Sequence, residues 1–590
     1  MFLATTALSD FWDGREEILF LGSWCLRQDR RSCWENLSYR LLPSPWNDRR
    51  RFYEAAEYLD ACGERVLVHL ARRLNALHGI QAPEKYWRVL IGPWLLHHLH
   101  VLYDRYAHLR AAFEMEPGLK TLCLDPVSFR VPEDGAKHIR WILEDPYNLQ
   151  LYSGLLAGMG YSFPTRPCNA REDPEPSLSF PRKAARWGWG GLQRTGLALL
   201  RSRWKVALYE TGLPKSAVWK MAWRTGFRAQ PLGLQERWNS LSPAPRFDER
   251  RNSLSGLPAT DEFERLFARM LPQDFPSLYL EEYAAARELA RRSLPDQPSV
   301  LLSGMGWHFH EPFKWVAAEA TLKKRRLVAL QHGGGYGVYR FTSMERHEKK
   351  ISDSFLSWGW ANGDGHAKNV PAPQLPVAPR RPRGSPSRGS GPILFVATTN
   401  PRYFYRFFSA PQGSQMEDYF QWQLRFFQAL PERLRNRVRF RPHSHPYPHG
   451  FRERFSERFP EVRFDPEPSF RRSLRGSSLT VIDHLSTPLL EALALNRPTL
   501  LFWDPERWEI RPEAQNAFDS LRRTRILQDS PEEAAARLEN ISEEPERWWS
   551  DPSTQQARRQ FADRYARSSG DWAGAWRRTL TDEIAQAVKP

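Results

Sequence analysis

Cysteine is scarce: the 590 residues hold five, Cys25, Cys33, Cys62, Cys123 and Cys168, all in the first third. None stands in a Cys-x-x-Cys pair and the number is odd, which excludes a disulfide framework and a zinc cage and suits a reducing compartment. Long apolar runs are missing too, and nothing approaches the roughly 20 residues that a membrane-spanning helix needs. The opening residues MFLATTALSDFWDGREE lack both the basic start and the apolar core of a signal peptide. The sequence therefore predicts a cytoplasmic protein, dissolved or peripheral on the inner face of the cytoplasmic membrane. Also absent are an Asp-x-Asp pair able to hold a divalent ion on a nucleotide, a Walker A loop and a Gly-x-Ser-x-Gly elbow. No metal or other cofactor is expected.

What is present in excess is aromatic and positive. Aromatic residues make up 13% of the chain and include 24 Trp, enough for a large packed interior and for stacking faces besides. The net charge is +17. Residues 182–228 contribute eleven Lys and Arg against Glu210 alone, which is +10 of that total, with Trp187, Trp189, Trp204, Trp219 and Trp223 interleaved. Such a stretch suits anionic lipid headgroups, a phosphorylated glycan or a nucleic-acid backbone, and a solvated helix face is its plain structural alternative.

A chain this long needs more than one core. The clearest boundary is 370–391, VPAPQLPVAPRRPRGSPSRGSG, rich in Pro, Arg, Ser and Gly, which reads as a linker. From 392 to 550 short apolar runs alternate with helical spacing. PILFVATT, VRFRPH, VRFDP, SLTVIDH and PTLLFWD are strands, with helices over 416–430 and 487–496. Strands apolar throughout and separated by helices predict a parallel sheet covered on both faces, a Rossmann-like domain. Before the linker, SVLLSGMG, the helix 312–325 and RLVALQHGGGYG repeat that grammar, with EILFLGSW (17–24) as a further strand of the same sheet. Residues 50–115 and 135–160 read as helical. The expected class is α/β: two Rossmann-like domains facing a cleft, 1–369 enlarged by helical and basic insertions, 392–550, and a helical segment 551–590 packing back on the first.

In open parallel sheets ligands sit beyond the carboxyl ends of the strands. Three polar clusters fall there. Gln331-His332-Gly333-Gly334 follows a strand; glycines let the backbone approach a ligand closely, and an imidazole can take a proton from a hydroxyl near neutral pH. Arg441-Pro442-His443-Ser444-His445 ends the next domain's VRFRPH strand and offers cations to a phosphate leaving group. Asp483-His484-Leu485-Ser486-Thr487 opens a helix whose first amides suit a phosphate, with Glu491 one turn in to accept from ribose hydroxyls. His308, His310 and Glu311 follow the strand SVLLSGMG; two His at i, i+2 with a carboxylate hint at a metal, but no third spaced ligand follows, which favours a substrate-contact or acid–base loop. Turns, caps and packed histidines are the structural alternatives throughout.

LATTAL (3–8), ILFLGSWCL (18–26), PWNDR (45–49), YWRVLIGPWL (86–95), LYDRY (102–106), QHGGGYG (331–337) and SWGW (357–360) together resemble a family of bacterial surface-polysaccharide, O-antigen type, transferases. The C-terminal half is more distantly similar to enzymes with CMP- or CDP-linked donors, the sialyl- and Kdo-transferases and the polyol-phosphate polymerases of teichoic acid synthesis. That likeness implies a GT-B architecture in which Arg441, His443 or His445, Ser486 and Thr487 grip a cytidine nucleotide. The element here is lengthened to His-Ser-His-Pro, which leaves both histidines in play. His332-Gly333 resembles the acceptor-side His-Gly element of the polyol-phosphate enzymes. The implied reaction moves a sugar from a nucleotide donor to a glycan or lipid-linked glycan. His332, or a carboxylate such as Glu311 or Asp104, deprotonates the acceptor, and His443 and Arg441 stabilise the departing nucleotide. Polyol-phosphate transfer from a CDP-linked donor, a GT-B-like epimerase and a nucleic-acid-binding protein are the rivals; no recognised nucleic-acid module is present, so no nucleic-acid partner is expected.

Overall fold

The computed structural model describes residues 1–168, 201–234, 249–361, 365–378, 391–445 and 447–588, with Trp238 and Gly363. Four parallel sheets form among them. The small ones are β1 (Phe2–Ala4), β2 (Ile18–Phe20) and β3 (Tyr39–Leu41), and the pair β4 (Cys123–Leu124) and β5 (Thr165–Arg166). The 17–24 run therefore belongs to a separate three-stranded sheet and not to the large N-terminal one. Its residues are buried in either placement, so apolar content could not tell the two apart.

The large N-terminal sheet comprises β6 (Val206–Tyr209), β7 (Ala229–Pro231), β8 (Val300–Ser303), β9 (Arg326–Leu330), β10 (Ser354–Ser357) and β11 (Ala367–Asn369). Their order is β11-β10-β9-β8-β6-β7, all parallel. The C-terminal sheet comprises β12 (Ile393–Val396), β13 (Val438–Arg441), β14 (Arg463–Phe464), β15 (Leu479–Ile482), β16 (Thr499–Phe502) and β17 (Leu527–Gln528). It is ordered β14-β13-β12-β15-β16-β17, also all parallel. Counted along the chain this is 3-2-1-4-5-6, the doubly wound Rossmann order, with its switch point between β12 and β15. Central strands are buried at every position because helices cover both faces. The protein is thus α/β with two Rossmann-like domains.

Helices Arg49–His78 and Glu84–Met115 dominate the N-terminal insertion. Asp48 caps the first by accepting from the Arg51 amide at 3.1 Å, and Gly79 ends it at φ 62°. The second is apolar nearly all round, so it is buried on every side rather than on one stripe. Helix Trp572–Val588 lays Trp576 and Leu580 on the β6, β8 and β9 face of the N-terminal sheet, whereas helix Pro552–Tyr565 packs on the C-terminal domain through Phe561 against Phe518. Within the proline-rich stretch, Val370, Ala372 and Leu375 are buried; 379–390 lie outside the described residues. So does 182–200 of the basic stretch. No described helix is long and apolar enough to cross a membrane.

One excursion ties the two halves together. After β12 the chain leaves its own domain, and residues 401–413 are nearly all buried against the N-terminal helices. Arg402 pairs with Asp145 at 2.7 Å, Tyr403 donates to Asp145 at 2.6 Å, and Arg105 donates to the Phe404 carbonyl at 2.9 Å. The Phe407 amide donates to His100 Nδ1 at 3.0 Å, and Tyr53 meets Ser409 at 2.9 Å.

Candidate active site

The turn after β9 is built from inside outwards. Gln331 is fully buried; its amide donates to the Gly333 carbonyl at 2.9 Å and accepts from the Trp358 amide at 2.8 Å and Trp360 Nε1 at 2.9 Å. It braces the turn and does not line the cleft, contrary to the expectation. Gly334 is required by contact: a Cβ there would stand 2.4 Å from the Ser486 carbonyl carbon and from the Thr487 nitrogen. The N-terminal domain's strand tip therefore touches the start of helix Thr487–Leu495 in the other domain. Tyr339 closes the same junction by donating to the Leu485 carbonyl at 2.5 Å.

Helix Ser343–Ile351 then turns back and sets Glu348 beneath His332. His332 Nε2 lies 2.9 Å from Glu348 Oε1, His308 Nε2 lies 2.9 Å from the same oxygen, and the Tyr336 hydroxyl donates to it at 3.0 Å. Burial would raise the Glu348 carboxyl, but the His332 and His308 rings outweigh it and hold the group below the ordinary value. Glu348 is thus a carboxylate that accepts, which assigns the His332 proton to Nε2 and leaves its Nδ1 lone pair without a partner among the described residues. The side chain is 13% exposed, so the ring is not sealed in the core. A carboxylate-oriented imidazole of this kind can act as a general base.

In the C-terminal domain, Ser486 occupies the N-cap of helix Thr487–Leu495 yet makes no capping bond with its side chain, so its hydroxyl is not used as a cap, and the Thr487 and Leu489 amides, Pro488 having none, lack intrahelical partners. Beside it the buried pair Asp483 and His484 is joined at 3.0 Å, with Tyr419 donating to Asp483 at 2.8 Å. His443 is solvent-facing; its Nδ1 accepts from the His445 amide at 3.1 Å, and the surrounding chain with neighbouring His484 lowers its pKa. His445 is half-buried and is lowered by burial. Glu491 gives one oxygen to Arg471 at 2.7 Å and keeps the other.

Several expected participants stand elsewhere. Arg441 is consumed internally: its guanidinium donates to Asp465 and the Glu467 carbonyl, both at 2.6 Å, and to the Pro468 carbonyl at 3.0 Å. A fork so occupied ties β13 to its own domain and is not offered to a phosphate. Asp104 is fully buried, bound to Arg105 at 2.5 Å and Trp46 at 2.6 Å, and holds helix Glu84–Met115 in place without access to an acceptor. Glu311 is also buried, paired with Lys314 at 2.6 Å and accepting from Tyr279 at 2.8 Å. His310 caps helix Glu311–Leu322 and meets Tyr209 at 2.8 Å; burial pushes it down to about 4. His308, His310 and Glu311 thus turn to three different partners, and no group of three metal-ligating side chains gathers among the described residues. Glu348, which the sequence reading did not single out, is on an ordinary charged helix, MERHEKK, with nothing local to mark it.

Two Rossmann-like domains meeting at their strand tips, an oriented histidine on one and the Ser486–Thr487 helix start on the other, define a GT-B-like architecture. The chain belongs to the LIC12162 family of transferases, whose model matches residues 1–580. No curated protein matches it. Among solved structures it is loosely similar to a UDP-forming trehalose-phosphate synthase from Burkholderia vietnamiensis, at 12% identity over 65% of this chain and 100% of the other, TM-score 0.34. Anabaena HepE in complex with UDP matches at 10% identity over 65% and 100%, TM-score 0.35. The wall teichoic acid polymerase TagF with CDPG matches at 9% identity over 65% and 90%, TM-score 0.29.

Proposed function

We propose that this transferase moves a sugar from a nucleotide donor, CMP-linked, to a hydroxyl of a surface-glycan acceptor such as O-antigen or capsule. The observation that carries the reading is that the turn opened by His332, whose ring meets Glu348, packs its Gly334 directly on the Ser486–Thr487 helix start across the domain junction. His332 Nδ1 takes the acceptor's proton, and the freed oxygen bonds to the anomeric carbon. The bond from that carbon to the donor phosphate breaks, and its electron pair leaves on the nucleotide phosphate. The helix-start amides face the charge that develops there. Glu491's remaining oxygen suits a ribose hydroxyl. The cytidine assignment rests on the likeness of the His-Ser-His-Pro and Ser-Thr elements to users of CMP-linked donors.

Calorimetry on the full-length protein without added divalent metal tests this: CMP or CDP should bind more tightly than UDP or GDP. Tighter UDP or GDP binding discards the donor class, and absence of all nucleotide binding sinks the transfer. Product analysis separates sugar transfer from the polyol-phosphate alternative, which the His332-Gly333 turn also suits.

The acceptor side is proposed to lie at an anionic membrane surface. Helix Lys215–Arg224 exposes Trp223 by 65% among Lys215, Lys220 and Arg224. Sedimentation with vesicles should show binding that requires anionic lipid and weakens with salt; equal association with neutral vesicles rejects the membrane assignment.

A further inference from the structure

The cation expected at the phosphate, Arg441, is spent on its own domain, yet another arginine stands near the domain junction without a counter-ion among the described residues. Arg406 lies in the excursion after β12, and its neighbours on both sides are pinned by helix Glu84–Met115. His97 Nδ1 lies 3.1 Å from the Tyr405 carbonyl, and the Phe407 amide is held by His100. The guanidinium rests 4.9 Å from the Tyr405 ring centre and 4.6 Å from that of Phe408. Phe408 in turn lies 6.2 Å from Tyr339, the residue whose hydroxyl reaches the Leu485 carbonyl beside Ser486. On the other side, the charge of Arg406 adds to burial in lowering His308, which shares Glu348 with His332, and likewise His97 and His100. The group therefore sits between the candidate base and the helix start.

Arg406 Nε and Nη1 are buried and make no hydrogen bond, and no carboxylate pairs with Arg406 among the described residues. The arginines around it are all engaged: Arg402 with Asp145, Arg105 with Asp104, Arg511 with Glu345. Burying guanidinium nitrogens without an acceptor is costly, a cost a folded chain avoids unless an anion arrives to meet them. A guanidinium's planar fork matches a phosphoryl group.

We infer that Arg406 is the anion-binding residue of the interdomain cleft and takes a phosphoryl group. Resting on the transfer proposed above, that group is the phosphate of the departing nucleotide, received jointly by Arg406 and the amides at Ser486–Thr487.

The full-length protein is titrated with inorganic phosphate, CMP and cytidine, and thermal midpoints are read in parallel. Phosphate should raise the wild-type midpoint, and CMP should bind at least tenfold more tightly than cytidine. Arg406→Gln should abolish the phosphate effect and bring CMP down to the cytidine level, with cytidine itself unchanged. Its own midpoint should equal or exceed wild type, since an uncompensated charge is gone, whereas Arg441→Ala lowers the midpoint and spares phosphate binding. Arg406→Lys, keeping charge and most of the packing, should retain part of the affinity. Equal phosphate and CMP binding by wild type and Arg406→Gln overturns the inference while leaving the transfer intact. Arg406-dependent phosphate binding without any nucleotide binding upholds the site and removes the transfer. Wild type indifferent to both ligands, or Arg406→Gln too unstable to fold, overturns it, because the charge is then vacant or structural.

Discussion

His332→Ala should cut turnover by roughly 10²- to 10⁴-fold, about 2.7–5.4 kcal/mol of barrier, with the thermal midpoint close to wild type. The magnitude follows from its position. Nε2 meets Glu348 and the Tyr336 hydroxyl, Nδ1 has no partner among the described residues, and the side chain is part exposed two positions before the Gly334 contact with the other domain. Added imidazole should restore part of the activity of the alanine variant, because the space the ring leaves adjoins the cleft. Glu348 acts through His332 and is a positioning residue. Glu348→Gln keeps an acceptor of the same shape but removes the charge that favours the imidazolium formed on proton transfer, so kcat should fall with KM little changed. Glu348→Asp should recover part of the loss, since the charge returns at a longer reach. Full activity of His332→Ala at normal stability would take this histidine out of the mechanism.

Much of this was legible in the residues, for a physical reason. Apolar runs separated by helical spacing can bury themselves only as a parallel sheet between helix layers, so five of the six C-terminal strands and β8 and β9 of the N-terminal sheet could be read from periodicity, whereas β6, β7, β10, β11 and β17 were missed. Strand tips follow from strands, and with them His332, Ser486 and Thr487. Periodicity carries no record of which distant group folds back. Arg441 ends one strand of the C-terminal sheet and Arg406 follows another, yet Asp465 and the Glu467 and Pro468 carbonyls, 24 to 27 positions on, consume the first, and among the described residues only aromatic rings meet the second. Arg406 was further masked by its setting, RYFYRFF, which reads as core. Asp104 shows the reverse error: on a helix buried all round, a carboxylate is a structural charge, and single-face spacing could not reveal that. Ile18–Phe20 was placed in the wrong sheet because a three-residue apolar strand fits any sheet equally well.

Acidification should unfold the protein well before its ion-paired carboxylates titrate. Burial pushes His98 and His100 down to about 3, and His78, His310 and His449 to about 4. In the unfolded chain each titrates near 6.5. A folded pKa below the unfolded one means that the unfolded state binds more protons between the two values. The stability these neutral rings permit is therefore complete above about pH 6.5 and drains away as pH falls towards 4 and 3. At pH 5.5 each costs on the order of 1 kcal/mol, so together they remove a sizeable part of a domain's marginal stability. Asp274 works against them: burial raises it to about 7, so its proton stabilises the fold below that pH and cancels roughly one histidine. Carboxylates held low by cations, Glu64 at about 2 among them, add their losses only below the ordinary carboxylate range. The thermal midpoint should thus hold from pH 8 to 7, fall steeply between 6.5 and 5, and carry the uptake of several protons on unfolding, to which the buried His97, His138 and His347, also held well below the ordinary value, add. His100→Asn, which keeps an acceptor for the Phe407 amide while removing one titrating ring, should reduce that uptake by about one. A midpoint flat down to pH 5 would show that these rings are solvated or protonated in the folded chain, and the buried-histidine account would fall.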